Sequence, residues 1–177
     1  PTWDQIKGAA IPALCMHGPA TLVDGQDRSL GPYDGVFELN QTLQDGGPAM
    51  VTGLPSEVGP LTAVVATCNA GGVGWPDLVV LFAPGGRFYA ASFLDGPSAG
   101  ADGLTGAWQP QWDAAGGGGP ARDGIRAIQR EGDSLVVWMD AELPGDASCC
   151  PSGAVKVTVR PANGSFELVD IASDVGD

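Results

Sequence analysis

Short apolar runs separated by turn residues make up most of the chain after the first 19 residues. Alternation of Val155, Val157 and Val159 with polar residues predicts a strand with one buried face. Near-continuous hydrophobicity in Leu78–Phe82 and Phe88–Phe93 predicts strands buried on both faces or at a sheet centre. Ten segments have strand character: Ala20–Val23, Gly35–Leu39, Ala49–Gly53, Leu61–Asn69, Asp77–Phe82, Arg87–Phe93, Gly124–Glu131, Ser134–Ala141, Ala154–Arg160 and Ser165–Ile171.

Turn sequences join three pairs of these segments. Asn163-Gly164 supplies two residues that tolerate positive φ, and Glu131-Gly132-Asp133 and Pro84-Gly85-Gly86 occupy equivalent places between apolar runs. We therefore expect three antiparallel hairpins.

The first 14 residues have a helical period instead. Trp3, Ile6 and Ala9 fall on one face, and Thr2 is placed as an N-cap, with Pro12 expected to end or kink the helix. The fold class is mainly β, with α+β also open: an antiparallel meander or sandwich of about 8–10 short strands with one short N-terminal helix.

Composition agrees with many short elements. The 177 residues include 28 Gly and 15 Pro, yet 44% are hydrophobic, which is too many for a disordered chain. We expect one domain over residues 1–177. A segment at about 95–121, rich in Gly and Pro and containing Trp108 and Trp112, is predicted to form a long surface loop.

A formal charge of −13 excludes some partners. Such a charge repels phosphate backbones, so nucleic acid is not expected, and no apolar stretch approaches the roughly 20 residues of a membrane helix. The acidity is typical of a soluble surface, and turn chemistry accounts for the six Asp-Gly pairs, although calcium at a clustered loop stays open. We expect no cofactor.

The four cysteines are Cys15, Cys68, Cys149 and Cys150. Their spacing does not match a zinc site, so we expect disulfides and an oxidising compartment. One pairing joins Cys15 to Cys68 and leaves a bond between the adjacent Cys149 and Cys150. In the competing pairings, Cys149 and Cys150 each bond one of the other two.

Residues with catalytic chemistry are few. His17 is the only histidine, and a surface or packing role is expected for it because no nucleophile is paired with it. Asp140 and Glu142 share a strand face, and a glycosidase would need two carboxylates across a cleft. We assign no catalytic and no metal-binding residue.

One passage has the composition of a binding loop. Gly71, Gly72 and Trp75 lie in Cys68–Asp77, and together with Trp108 and Trp112 of the long loop they could present an aromatic face. The alternative is a structured loop that is fixed by Cys68 and packed by Trp75.

Three motifs carry a family resemblance: Ile-Pro-Ala-Leu-Cys at 11–15, Cys-Asn-Ala-Gly-Gly-Val-Gly-Trp-Pro-Asp at 68–77, and Cys-Cys-Pro-Ser-Gly at 149–153. Together they resemble small secreted or lipid-anchored envelope proteins of actinobacteria in the LppP/LprE lipoprotein group. The resemblance implies an exported β-rich protein and no catalytic residues. The cysteine that carries the lipid in an anchored form is absent, so a lipid anchor would lie upstream.

These observations together predict a non-catalytic cell-envelope binding or accessory protein that recognises a protein or an envelope polymer. Two alternatives belong to other classes. One is an envelope-polymer hydrolase that uses paired carboxylates in a cleft. The other is a structural subunit of a membrane-associated complex, for which a large exposed apolar patch is expected.

Overall fold

A computed structural model describes residues 1–14, 17–29, 35–70, 73–93, 120–141, 146–147 and 150–173. The predicted mainly β fold with one short N-terminal helix is confirmed. The elements are α1 (Trp3–Ile6), β1 (Ala10–Ile11), β2 (Ala20–Thr21), β3 (Gln26–Asp27), β4 (Gly35–Leu39), β5 (Met50–Leu54), β6 (Leu61–Ala70), β7 (Val73–Ala83), β8 (Arg87–Phe93), β9 (Pro120–Glu131), β10 (Ser134–Ala141), β11 (Gly153–Ala162) and β12 (Ser165–Ser173).

The helix is shorter than its sequence pattern predicts, because α1 ends at Ile6. The backbone N–H of Thr2 donates to Gln5 Oε1 at 2.9 Å, which stabilises the first turn. Beyond the helix, Ala9 and Ile11 are buried while Ala10 is exposed, an alternation of period two. The expected helical continuation to Leu14 is therefore wrong, since the chain after the first turn is extended and pairs with β2.

The larger sheet has six antiparallel strands in the order β3-β4-β6-β7-β8, with β5 also paired to β6. β4 and β5 occupy successive parts of one edge of β6. At the junction, Asn40 N–H donates to the Val65 carbonyl at 2.8 Å, and Val65 N–H donates to the Ala49 carbonyl at 2.9 Å. Residues 40–49 thus leave the sheet edge as a loop and return to it.

The second sheet has four antiparallel strands in the order β12-β11-β10-β9. Its two hairpins form where the sequence predicts them: Ser134 lies opposite Glu131, and Asn163 and Gly164 adopt φ angles of 51° and 72° between β11 and β12. The third hairpin joins β7 to β8 through residues 84–86, with Ala83 opposite Arg87.

Two apolar cores lie on opposite faces of the larger sheet. One fills the space between the sheets, where Val65 and Leu81 pack with residues such as Val137 and Val157. The other lies under the N-terminal segment, where side chains that include Ile6 and Ile11 cover Val64 and Val80. Successive residues of β6 and β7 therefore point into different cores, which confirms the prediction that Leu78–Phe82 is buried on both faces. The same prediction is wrong for β8, which lies at the edge of the sheet and whose Phe88, Tyr89 and Ala91 are only partly buried.

Two predicted loops differ from the structure. Residues 68–70 and 73–77 of the predicted Cys68–Asp77 loop belong to strands, because β6 continues to Ala70 and β7 begins at Val73. The predicted loop at about 95–121 overlaps β9, which begins at Pro120, and the rest of it lies outside the described residues. Within the described ranges, no helix has the length and apolar character needed to cross a membrane.

Candidate functional site in a cleft between the sheets

An irregularity in β7 places a carboxylate at the junction of the two sheets. Ala66 lies opposite Leu78 and Cys68 opposite Trp75, so residues 76 and 77 together face Thr67. Proline has no N–H to give to the ladder and is tolerated in sheets at such bulges. The extra residue removes Asp77 from regular pairing.

Asp77 is 9% exposed and accepts hydrogen bonds from both sheets. Its Oδ1 accepts from Thr67 Oγ1 at 3.0 Å, and Thr67 Oγ1 in turn accepts from Asn40 Nδ2 at 2.8 Å. Its Oδ2 accepts from the backbone N–H of Ile125 in β9 at 3.3 Å. The carboxylate therefore links β7 to its neighbour β6 and to the facing sheet.

A second irregularity lies across from this carboxylate, in β9. Ala127 pairs with Trp138 and Ile125 pairs with Met139, so Arg126 is the extra residue of a bulge. Its guanidinium forms an ion pair with Asp140 of β10, and about half of the Arg126 side chain is exposed. The bulge thus directs a charged pair to the edge of the four-stranded sheet.

The two irregular strands and the 40–49 loop enclose a cleft of about 150 Å³. Asn40 and residues 42–45 line it from the loop, Thr67 and Asp77 from the larger sheet, and Ile125, Arg126 and Asp140 from the smaller one. The lining is mostly polar, with Leu43 and Ile125 as its apolar members.

The loop that forms one wall is held by its own backbone. Leu43 is buried in the core between the sheets, and its N–H donates to the Gly47 carbonyl at 2.8 Å. Asp45 Oδ1 accepts from Gly47 N–H at 2.9 Å. Gln44 and Asp45 are exposed on this support, so they are available to a ligand at the mouth of the cleft.

The charges of the lining limit its chemistry. The lining contains three carboxylates, those of Asp45, Asp77 and Asp140, and one cationic side chain, that of Arg126. This excess of negative charge repels anions. Among the described residues, no group of three or more His, Cys, Asp or Glu side chains is placed to hold a metal ion. Asp77 already accepts hydrogen bonds from the chain itself, and Asp140 is ion-paired with Arg126.

His17 lies apart from the lining of this cleft and packs in the interior. It is 1% exposed, with Nδ1 3.0 Å from Asp27 Oδ2 and Nε2 3.3 Å from the Asn69 carbonyl oxygen. Burial opposes ionisation of Asp27, but the N–H and hydroxyl of Ser29 and the ring of His17 outweigh it and lower the pKa of Asp27. The pair ties β3 to the end of β6.

Most residues predicted to bind lie outside the described part of the chain, namely Gly71, Gly72, Trp108 and Trp112. For Trp75 the structure describes the backbone alone, which pairs with Cys68. The aromatic face therefore stays a prediction. Of the two carboxylates singled out on one strand, Asp140 lines the cleft and Glu142 is outside the described residues.

The pairing of the four cysteines in disulfides also stays a prediction. Cys68 is fully buried on β6 and Cys150 is exposed, whereas Cys15 and Cys149 lie outside the described residues.

Of the residues that line the cleft, sequence reasoning singled out only Asp140 for its chemistry, and the residues that it missed include Asn40, Thr67, Asp77 and Arg126. A signal for two of them is visible in the sequence, because Thr67 and Asp77 are polar residues within apolar runs and the second follows a proline. No comparable signal marks Asn40 or Arg126, since their positions depend on the strand register. Comparison of the chain with known protein families, characterised proteins and solved structures finds no match.

Proposed function

We propose that this chain is a non-catalytic recognition domain of an exported cell-envelope protein, and that it binds its ligand in the cleft between the sheets. The observation that carries the proposal is the hydrogen bonding of Asp77 to both sheets, which holds the polar lining in place before a ligand arrives. A preorganised lining lowers the entropic cost of binding.

Export is supported by cysteine content and by motif. Four cysteines without zinc spacing fit disulfides formed in an oxidising compartment, and the buried position of Cys68 suits a structural bond. The likeness to the LppP/LprE lipoprotein group further supports export, because the members of that group are secreted or lipid-anchored proteins of actinobacteria. The face containing Gly71, Gly72, Trp75, Trp108 and Trp112 is proposed as a further contact surface for the same partner.

An envelope-polymer hydrolase is the second candidate, because Asp77 and Asp140 line one cleft. A glycosidase needs one carboxyl group that keeps its proton. Here Asp77 accepts hydrogen bonds from Thr67 and Ile125, and Asp140 is ion-paired with Arg126. In this geometry both carboxyl groups act as acceptors, whereas a general acid must donate a proton to the leaving group, so binding is favoured. Release of new reducing ends from envelope polysaccharide, abolished by Asp140→Asn, would reverse this preference.

A structural subunit of a membrane complex has less support. The large apolar side chains that are exposed among the described residues are Val23, Val58 and Val169, on three separate segments. A subunit interface is expected to present one contiguous patch.

A pull-down from native envelope extract tests the proposed function. The oxidised protein is compared with the double variant Gln44→Ala/Arg126→Ala, which removes two donors from the lining. The matched control is Gln41→Ala/Arg130→Ala, which changes the same residue types on the same loop and strand but outside the lining. We expect the partner to be lost with the first variant and retained with the second. Equal capture by both variants would overturn the proposal, and fully reduced protein reports whether disulfides are needed.

A further inference from the structure

We infer that the group held in the cleft is uncharged and polyhydroxylated, namely one sugar ring of a neutral envelope polysaccharide. The inference rests on the proposed function and names its ligand class. It follows from the hydrogen-bonding capacity, the size and the charge of the lining.

The lining is complementary to a ligand whose hydrogen-bond donors and acceptors lie close together. Ionised carboxylates such as Asp77 and Asp140 only accept, whereas the guanidinium of Arg126 only donates. An anion has no donor for the carboxylates, and an ammonium group has no acceptor for Arg126. A hydroxyl group can donate a hydrogen bond to a carboxylate and accept one from Arg126. Hydroxyl groups on adjacent carbon atoms therefore complement this combination of donors and acceptors.

The internal bonds of the lining leave capacity for such a ligand. Arg126 carries five N–H groups and is half exposed beside Asp140. Exposed Gln44 adds an amide that donates and accepts.

Size and shape favour a ring over a protein surface. A volume of 150 Å³ corresponds to about five water molecules, and it is smaller than the roughly 300–1,000 Å³ of sites for larger ligands. Protein partners instead bury about 800 Å² on each side. Leu43 and Ile125 offer apolar contact to the C–H groups of a ring. Anionic polymers are disfavoured because the chain carries a formal charge of −13.

The test uses isotope-labelled, oxidised protein in NMR titrations. The probes are the neutral and anionic polysaccharide fractions of the envelope, separated by anion exchange, and pentalysine as a cationic probe. We expect the neutral fraction to shift the amide signals of residues 42–45 and Ile125. Gln44→Ala should weaken this binding about three- to tenfold, the value of one hydrogen bond, while Gln41→Ala on the same loop leaves it unchanged.

The outcomes separate this inference from the proposed function. Binding of the anionic fraction or of pentalysine in the cleft, or no binding of the neutral fraction, overturns the sugar assignment. The proposed function still stands in those cases if Gln44→Ala/Arg126→Ala abolishes partner capture in the pull-down. Equal weakening by Gln44→Ala and Gln41→Ala would also overturn the assignment, because the loss would then reflect the loop and not the lining.

Discussion

The carboxylate of Asp77 in the six-stranded sheet accepts a hydrogen bond from the backbone N–H of Ile125 in the four-stranded sheet, at 3.3 Å. Backbone N–H groups inside a sheet normally bond to a neighbouring strand. Ile125 lies in β9, an edge strand of its sheet, and a side chain of the facing sheet accepts its N–H. One carboxylate thereby joins the two layers and shapes the cleft.

Replacing Asp77 with alanine should destabilise the fold. The change leaves the Ile125 N–H and the Thr67 hydroxyl without this acceptor, and buried donors without partners cost about 1–3 kcal/mol each. We expect a loss of about 3 kcal/mol in the free energy of unfolding, measured by urea denaturation. Asp170→Ala, at an exposed position of β12, is the control and should have little effect. Similar losses in the two variants would contradict the role of Asp77.

Gly86 and Gly85 form a matched pair for testing how the N-terminal segment packs. Both adopt positive φ, at 76° and 79°. A Cβ atom at Gly86 would overlap the backbone carbonyl of Gln5, whereas one at Gly85 would meet nothing within 4 Å. Gly85→Ala should cost about 1–2 kcal/mol for its left-handed backbone.

Gly86→Ala should cost at least about 2 kcal/mol more, because the clash involves backbone that cannot rotate away. Urea denaturation of both variants gives the two values. Equal destabilisation would show that the N-terminal segment does not pack on this turn.

The pair of Asp27 and His17 should make stability depend on pH in the acid range. The folded-state pKa of Asp27 lies below its ordinary value of 3.8, so its contribution is complete above that pH and is lost as the pH falls through the folded pKa. Asp27→Asn should cost about 2 kcal/mol at pH 6, the value of hydrogen bonds to a charged group, and clearly less at pH 3. A cost that is the same at both pH values would refute this.

The hydroxyl of Tyr89 should control the titration of Glu57. It donates to Glu57 Oε1 at 2.7 Å and accepts from Gly164 N–H at 2.9 Å, and the bond from Tyr89 is the main cause of the lowered pKa of Glu57. Tyr89→Phe should raise the pKa of Glu57 toward its ordinary value of 4.5. Carboxyl NMR during a pH titration measures the change, and an unchanged pKa would mean that the bond does not persist in solution.

Peptide mapping without reduction should identify the disulfide pairs. A Cys15–Cys68 bond closes a loop of about 50 residues and should contribute about 4 kcal/mol in the chain-entropy model. The expected products are one peptide pair that contains Cys15 and Cys68, and one peptide in which Cys149 and Cys150 are bonded to each other. Peptides that join Cys149 or Cys150 to either of the other two would establish the competing arrangement.

Local pattern determines most of the strands of this protein. The bounds of β4, β8 and β10 match the predicted segments, because alternation, apolar runs and Gly-containing turns act over a few residues. The predicted N-terminal helix is too long for the same reason: Trp3, Ile6 and Ala9 have helical spacing, and only the pairing of Ala10 and Ile11 with β2 selects an extended chain after the first turn.

Only the tertiary structure determines which residues line the cleft. Its lining combines Asn40, Thr67, Asp77, Arg126 and Asp140, which are brought together by strand order, by two bulges and by the packing of the sheets. The sequence determined most of the strands, the turns of the three hairpins and the burial of β7 on both faces, since these depend on neighbouring residues, whereas the two-residue strands β1 and β3 were not predicted from it. It did not determine which polar groups meet, because one extra residue in a strand changes the direction of every side chain beyond it.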